Sequence, residues 1–234
     1  MGKAITLTLA RAGANVIVNY HSSSSAATET VAEAQALNVE ALAVQADVSD
    51  YEDVRELVQV AEENVGDIDI LVNSASVWRR TPVPMENLEA WHHVTSVLID
   101  GPMYCANGVV PGMLNRGEGS VVNIVDLSAW QPWPGYAAHT VGKAALLALT
   151  RQLALDLAPG VAVNAVAPGP ILPPPAFSEA EIAKTARQTL KERWGSVSDV
   201  TDAVRFLIEA DFITGEVIVV DGGKRYGHSK ATQA

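Results

Sequence analysis

The chain has 234 residues, enough to bury one domain's core without disulfides or metal. Hydrophobic residues make up 48%, which excludes a disordered chain, and the longest apolar runs are of strand length, which argues against a membrane span. A net charge of −11 argues against nucleic acid as a partner, because phosphate binding needs clustered Lys and Arg.

Residues 2–13 carry Ile5, Leu9 and Ala12 at helical spacing, and Gly13 ends that helix. Residues 15–20 (NVIVNY) read as a buried strand. Ser24 opens a helix reaching residue 36, and residues 40–45 form the next strand. Ser49 and Glu52 make a capping-box pattern ahead of a third helix. Residues 68–72 (IDILV) are strand, stopped by the polar pair Asn73 and Ser74. A long helical stretch covers residues 87–115, interrupted by Pro111.

Residues 120–125 (SVVNIV) are strand, and 137–158 form the strongest helix, rich in Ala and Leu. Residues 161–166 are strand, closed by Pro168 and Gly169. Ser178 and Glu181 start a further helix with another capping box. Residues 199–210 are helix, 216–220 are the last strand, and 227–234 read as a mobile tail. Alternating strands and helices with right-handed crossovers predict one α/β domain over 1–234, with a doubly wound parallel sheet. The N-terminus lacks a secretory pattern. The single cysteine, Cys105, reads as a small buried hydrophobe, which points to a cytoplasmic setting.

Six segments then stand in a telling order: VNSAS, VVNIVD, a helix carrying Lys143, NAVAPGP, and ITGEVIVV followed by DGG. In order and spacing the chain resembles the short-chain dehydrogenase/reductases over nearly its whole length, and among them the pteridine reductases. The resemblance implies a Rossmann-type fold, a nicotinamide cofactor and a small-molecule substrate. It also implies a homodimer or homotetramer built on the helices around 87–115 and 137–158. His21, Ser22 and Ser23 follow the NVIVNY strand where the family places an acid for NAD, so the resemblance implies NADP(H). Asp47 and Val48 resemble the adenine contact. Asn73, Ser74 and Ala75 resemble the turn supporting the ribose. Pro168, Gly169 and Ile171 resemble the loop beside the nicotinamide amide.

The chain also departs from the family pattern. It begins at the end of the glycine-rich turn, with Gly2 as its last glycine, so the resemblance implies a sheet lacking its usual first strand. Lys143 matches the family lysine. Four residues earlier stands His139 instead of tyrosine, at a spacing that puts both side chains on one helix face. Asp126 stands at the serine position, as in pteridine reductases, and Leu98 at the asparagine position. The expected catalytic set is therefore Asp126, His139 and Lys143. His139 is read either as the proton donor or as a polar residue filling the tyrosine's niche. Trp78 and Trp133, with Trp130, flank the cleft and could stack a flat substrate ring. The adjacent His92 and His93 do not face one point on a helix, so a metal site is not expected. The implied activity is reduction of a carbonyl or pterin-like C=O or C=N bond. The alternatives are a catalytically degenerate ligand-binding or interaction protein, or a truncated reductase.

Overall fold

A computed structural model of the chain describes residues 1–226. The tail expected over 227–234 lies outside the described residues. The elements in order are α1 (Gly2–Arg11), β1 (Val16–Tyr20), α2 (Ser24–Gln35), β2 (Ala41–Gln45), α3 (Tyr51–Asn64), β3 (Ile70–Asn73), α4 (Glu89–Thr95), α5 (Gly101–Arg116), β4 (Ser120–Ile124), α6 (Ala137–Leu157), β5 (Ala162–Pro168), α7 (Glu179–Arg187), α8 (Val197–Glu209) and β6 (Val217–Val220). Every strand pair is parallel, as the alternation of strands and helices predicts.

The expectation of a fold lacking its first strand is corrected. The first strand is β1, present over Val16–Tyr20 and paired along its full length with β2. It forms because Val16 and α1's Leu7 and Ala10 bury together with Ala34 of α2. The strands divide into a two-stranded sheet, β1–β2, and a four-stranded sheet in the order β3–β4–β5–β6.

Alternation along the central strands makes two cores. Val121 of β4 and Val163 of β5 turn to one face and pack on Val109 and Met113 of α5 and Leu153 of α6. Val122, Ile124 and Val166 turn to the other face, against Ile5 of α1 and Val200, Val204 and Leu207 of α8. Helices on both faces explain why β4 is buried at every position and reads as an apolar run apart from Ser120 and Asn123.

Two local expectations change. The cap of α3 is Asp50, whose carboxylate accepts from the N–H groups of Glu52 and Asp53, while Ser49 donates its hydroxyl to Asp47. The carboxylate sits one residue nearer the helix and is the better acceptor for its bare N–H groups. The stretch 87–115 is interrupted at a π-helical turn, Ser96–Asp100, and α5 runs straight through Pro111. The capping box of α7 forms as expected, and α8 adds a second one from Ser196 and Asp199. Cys105 is buried, and burial pushes its thiol up to about 11, so it behaves as an inert hydrophobe.

Candidate active site

The site begins with α6. Residues 137–157 are rich in Ala and Leu, strong helix formers, and carry His139 and Lys143 one turn apart on a buried face. The helix start has no side-chain cap of its own. The loop before α4 supplies one, because Thr81 Oγ1 accepts from the Ala138 N–H at 2.9 Å and the Thr81 N–H donates to the Gly135 carbonyl. That anchor lays the segment 77–81 across the helix start and brings Val77 and Trp78 to His139.

Asp126 follows β4 and faces the same point. Its Oδ1 accepts from the Ser128 N–H and hydroxyl at 2.8 and 2.5 Å, capping a short 3-10 turn. Its Oδ2 lies 2.7 Å from His139 Nε2. His139 Nδ1 lies 3.3 Å from the Val77 carbonyl oxygen. Both ring nitrogens are thus aimed at acceptors, and His139 is 1% exposed. The Asp126 side chain is 17% exposed and is the open member of the pair. Burial pushes the Asp126 carboxyl up, but the hydrogen bonds from His139 and Ser128 outweigh it and hold the group below the ordinary carboxylate range.

Lys143 is buried beside them and donates from Nζ to the Ile124 carbonyl at 2.7 Å. Burial lowers it to about 8, against the opposing pull of the Asp126 charge. The structure therefore brings Asp126, His139 and Lys143 together at the carboxyl end of β4. Leu98, on the π-helical turn, is fully buried against the same helix. A Cβ at Gly142 would meet Leu98 Cβ at 2.7 Å, so Gly142 permits that approach.

Aromatic rings roof the pair. Trp78 meets His139 edge-on at 4.7 Å, and Trp133 stacks nearly parallel to it at 5.8 Å. Tyr136 packs on Trp78 at 4.6 Å. Trp130 stands apart, beside Arg225 and Tyr226. Among the described residues no cluster of three or more His, Cys, Asp or Glu side chains could hold a metal.

Most of the other expected residues gather at the strand ends. Gly2, Val48, Asn73, Ser74 and Ala75 line one cavity, and a Cβ at Gly2 would touch Ser74 Oγ at 3.3 Å. His21, Ser22 and Ser23 are exposed after β1, with His21 Nε2 3.8 Å from Asp47 Oδ2. Pro168 ends β5. Gly169 lies so close to Asp221 that a Cβ would meet that side chain at 2.6 Å, and Ile171, two residues on, is buried in the core on the α8 face. Sequence reasoning missed a buried polar chain that ties β3, β4 and α6 together: Asn73 donates to Asn123, Asn123 to Thr150, and Thr150 to the Leu146 carbonyl, at 2.9, 2.9 and 2.8 Å. The signal was Asn123 itself, a polar residue inside a run buried on both faces.

Comparison with known proteins decides the family. The family described as enoyl-(acyl carrier protein) reductase matches residues 1–225. The chain belongs to it. It is an oxidoreductase of the short-chain dehydrogenase/reductase type. The 3-oxoacyl-[acyl-carrier-protein] reductase of Synechocystis is 37% identical, over 95% of this chain and 92% of that protein. The enzyme of the same name from Staphylococcus epidermidis is 33% identical, over 95% and 93%. Among solved structures, a gluconate 5-dehydrogenase from Burkholderia cenocepacia, in complex with NADP and tartrate, superposes with a TM-score of 0.89 at 31% identity, covering 97% of this chain and 92% of that one. An acetoin dehydrogenase from Salmonella typhimurium gives 0.87 at 29% identity, covering 97% and 93%. These relatives correct the expected likeness to pteridine reductases. Asp126 at the serine position suggested it, and a single residue shared between branches does not define one. Among the described residues no helix is long and apolar enough to cross a membrane.

Proposed function

We propose that this oxidoreductase uses NADPH to reduce a carbonyl of a small-molecule substrate, with a 3-oxoacyl thioester as the class to try first. The observation that carries the reading is the junction of Asp126, His139 and Lys143 at the end of β4 under an aromatic roof.

The strand ends fit a dinucleotide. The first turn of α1 has no side-chain cap and opens at Gly2, so its N–H groups suit a pyrophosphate. His21, Ser22 and Ser23 offer donors to a 2′-phosphate, and the acid beside them, Asp47, faces His21 at 3.8 Å. Asp47 and Val48 would border the adenine, and Asn73, Ser74 and Ala75 the ribose. Pro168, Gly169 and Ile171 would flank the nicotinamide amide, and Lys143 would hold its ribose. A nicotinamide dinucleotide bound there supplies the hydride.

The chain's own residues then manage the proton. His139 is sealed from the cleft, so it acts through Asp126. The Nε2 proton shifts along the 2.7 Å hydrogen bond to Oδ2, and the Asp126 carboxyl gives its proton to the oxygen of the reduced carbonyl. Trp78 and Trp133 keep water from the ring and border the substrate. Assembly as a homodimer or homotetramer and a cytoplasmic setting belong to the same proposal; the setting is supported by the lone buried thiol, Cys105.

The test is NADPH consumption by the purified chain with a short 3-oxoacyl thioester, with NADH in parallel. The expected result is turnover preferring NADPH. Turnover preferring NADH would remove the role given to His21, Ser22 and Ser23. No turnover across 3-oxoacyl thioesters and simple ketones would overturn the proposal.

A further inference from the structure

Taking the Asp126–His139 pair as the proton source, as read above, we propose that Thr81 is a positioning residue that keeps this pair loaded with its proton. It acts through the main-chain carbonyl of Val77.

Residues 75–80 lead from the end of β3 to Thr81. Among the described residues this segment makes one hydrogen bond to the rest of the fold, between the Val77 carbonyl and His139 Nδ1 at 3.3 Å. The latch that follows holds that carbonyl in place. Thr81 is 1% exposed and joins the start of α6 by three bonds. Its N–H donates to the Gly135 carbonyl at 2.8 Å, its carbonyl accepts from the Ala137 N–H at 3.4 Å, and its Oγ1 accepts from the Ala138 N–H at 2.9 Å. The last of these is the one that depends on the side chain.

A carbonyl only accepts, so the bond to Val77 requires a proton on Nδ1. Nε2 then faces Asp126 Oδ2 at 2.7 Å with one proton between them. When the pair gives that proton away, His139 keeps one N–H and still faces two acceptors. Either Nε2 turns a lone pair on the carboxylate, or Nδ1 turns one on the Val77 carbonyl. The ring is too deeply buried for water to repair either contact. The emptied state is therefore the costly one, and the pair refills from the open Asp126 side and stays loaded to higher pH. With the carbonyl released, His139 rests with its single proton on Nε2, against an ionised Asp126.

No other neighbour does the same. Lys143, one turn along α6, favours the ionised form of Asp126 and so opposes loading. The Arg80 guanidinium lies against Gly135, and Tyr136 packs on Trp78. Val94 of α4 and Leu98 of the π-helical turn pack beside Ala138 and carry no charge.

The experiment is nitrogen-15 NMR of the histidines in the full chain, together with single-turnover NADPH oxidation from pH 6 to 10. His139 is one of five histidines and is assigned by the signal lost in His139→Gln. At pH 7 the unaltered chain should show a protonated Nδ1 on His139, its N–H protected from exchange. Thr81→Val keeps the shape and removes the acceptor. It should lose that protection, and the alkaline limb of its rate should fall by about one pH unit relative to the unaltered chain, at unchanged NADPH affinity. The comparison cancels the titration of Lys143, which both chains share. Thr81→Ser keeps the acceptor and should keep both properties. If Thr81→Val lowers Tm but leaves the spectrum and the alkaline limb in place, Thr81 merely holds the fold together and the proposal is overturned. An unprotonated Nδ1 in the unaltered chain at pH 7 also overturns it, and that result does not require Thr81→Val to fold. If the unaltered chain turned over no substrate, the proposed function would fall, and the nitrogen spectra alone would decide the role of Thr81.

Discussion

Replacing Lys143 by methionine separates the cost of its buried charge from the rest of the fold. Burial lowers Lys143 from 10.5 to about 8, and the side chain is 3% exposed, so solvent screens it little. The unfolded chain therefore holds a proton on Lys143 between pH 8 and 10.5 that the folded chain has released. Stability then rises with pH across that window, and below it the fold carries the full cost of the buried ammonium. At about 1.4 kcal/mol per pH unit the rise is roughly 3 kcal/mol. Lys143→Met abolishes the rise. At pH 7 it removes that cost and loses the hydrogen bond to Ile124, worth about 1–2 kcal/mol, so the variant should match or exceed the parent in stability. At pH 10.5 it should be the less stable of the two. Urea unfolding of both proteins from pH 7 to 10.5 gives the difference, in which the titration of distant groups cancels. Two curves parallel within about 0.5 kcal/mol would refute the reasoning and mean that Lys143 reaches water.

Gly142→Ala forces a Cβ to within 2.7 Å of Leu98, whose place on the π-helical turn leaves little room to yield. It should cost about 1–3 kcal/mol by thermal unfolding, and Gly142→Ala with Leu98→Ala together should recover part of that. Asp50→Ala removes the cap of α3 and should cost about 1 kcal/mol, while Ser49→Ala should cost less, because Ser49 caps no helix. Cys105, raised to about 11 by burial, should resist alkylation at pH 8 in the folded chain and react in urea; rapid labelling of the folded chain would show that α5 opens.

The layout of the fold was legible because its signals are local. NVIVNY, SVVNIV and the residues before Pro168 announce strands by continuous apolar runs, and Ser178 with Glu181 announces a helix by its box. The meeting of His139 and Lys143 was legible from a spacing: four apart on one helix, they had to share a face. The π-helical turn was not legible, since the roughly 100° shift of the apolar face that one extra residue causes is lost in so short an apolar stretch, and Pro111 offered a louder signal. Asp50 was hidden by its neighbour Ser49, because two good caps in a row differ only in which backbone N–H groups they reach. Asn73, Asn123 and Thr150 lie far apart in sequence and read singly as polar interruptions; their link exists only once β3, β4 and α6 are packed. That His139 is sealed behind Asp126 likewise depends on Val77 and Trp78, brought there by Thr81 from another segment.

The central claim is that Asp126, as the open member of the pair, passes the proton of His139 to the substrate. Single-turnover reduction of a 3-oxoacyl thioester by NADPH in Asp126→Asn tests it most directly, with NADPH affinity measured alongside. Asparagine keeps the hydrogen bonds to Ser128 and can donate to a neutral His139, so the fold and cofactor affinity should persist while the chemical step slows by roughly 100- to 10,000-fold. Unchanged single-turnover rates would contradict the claim and give the proton to another group.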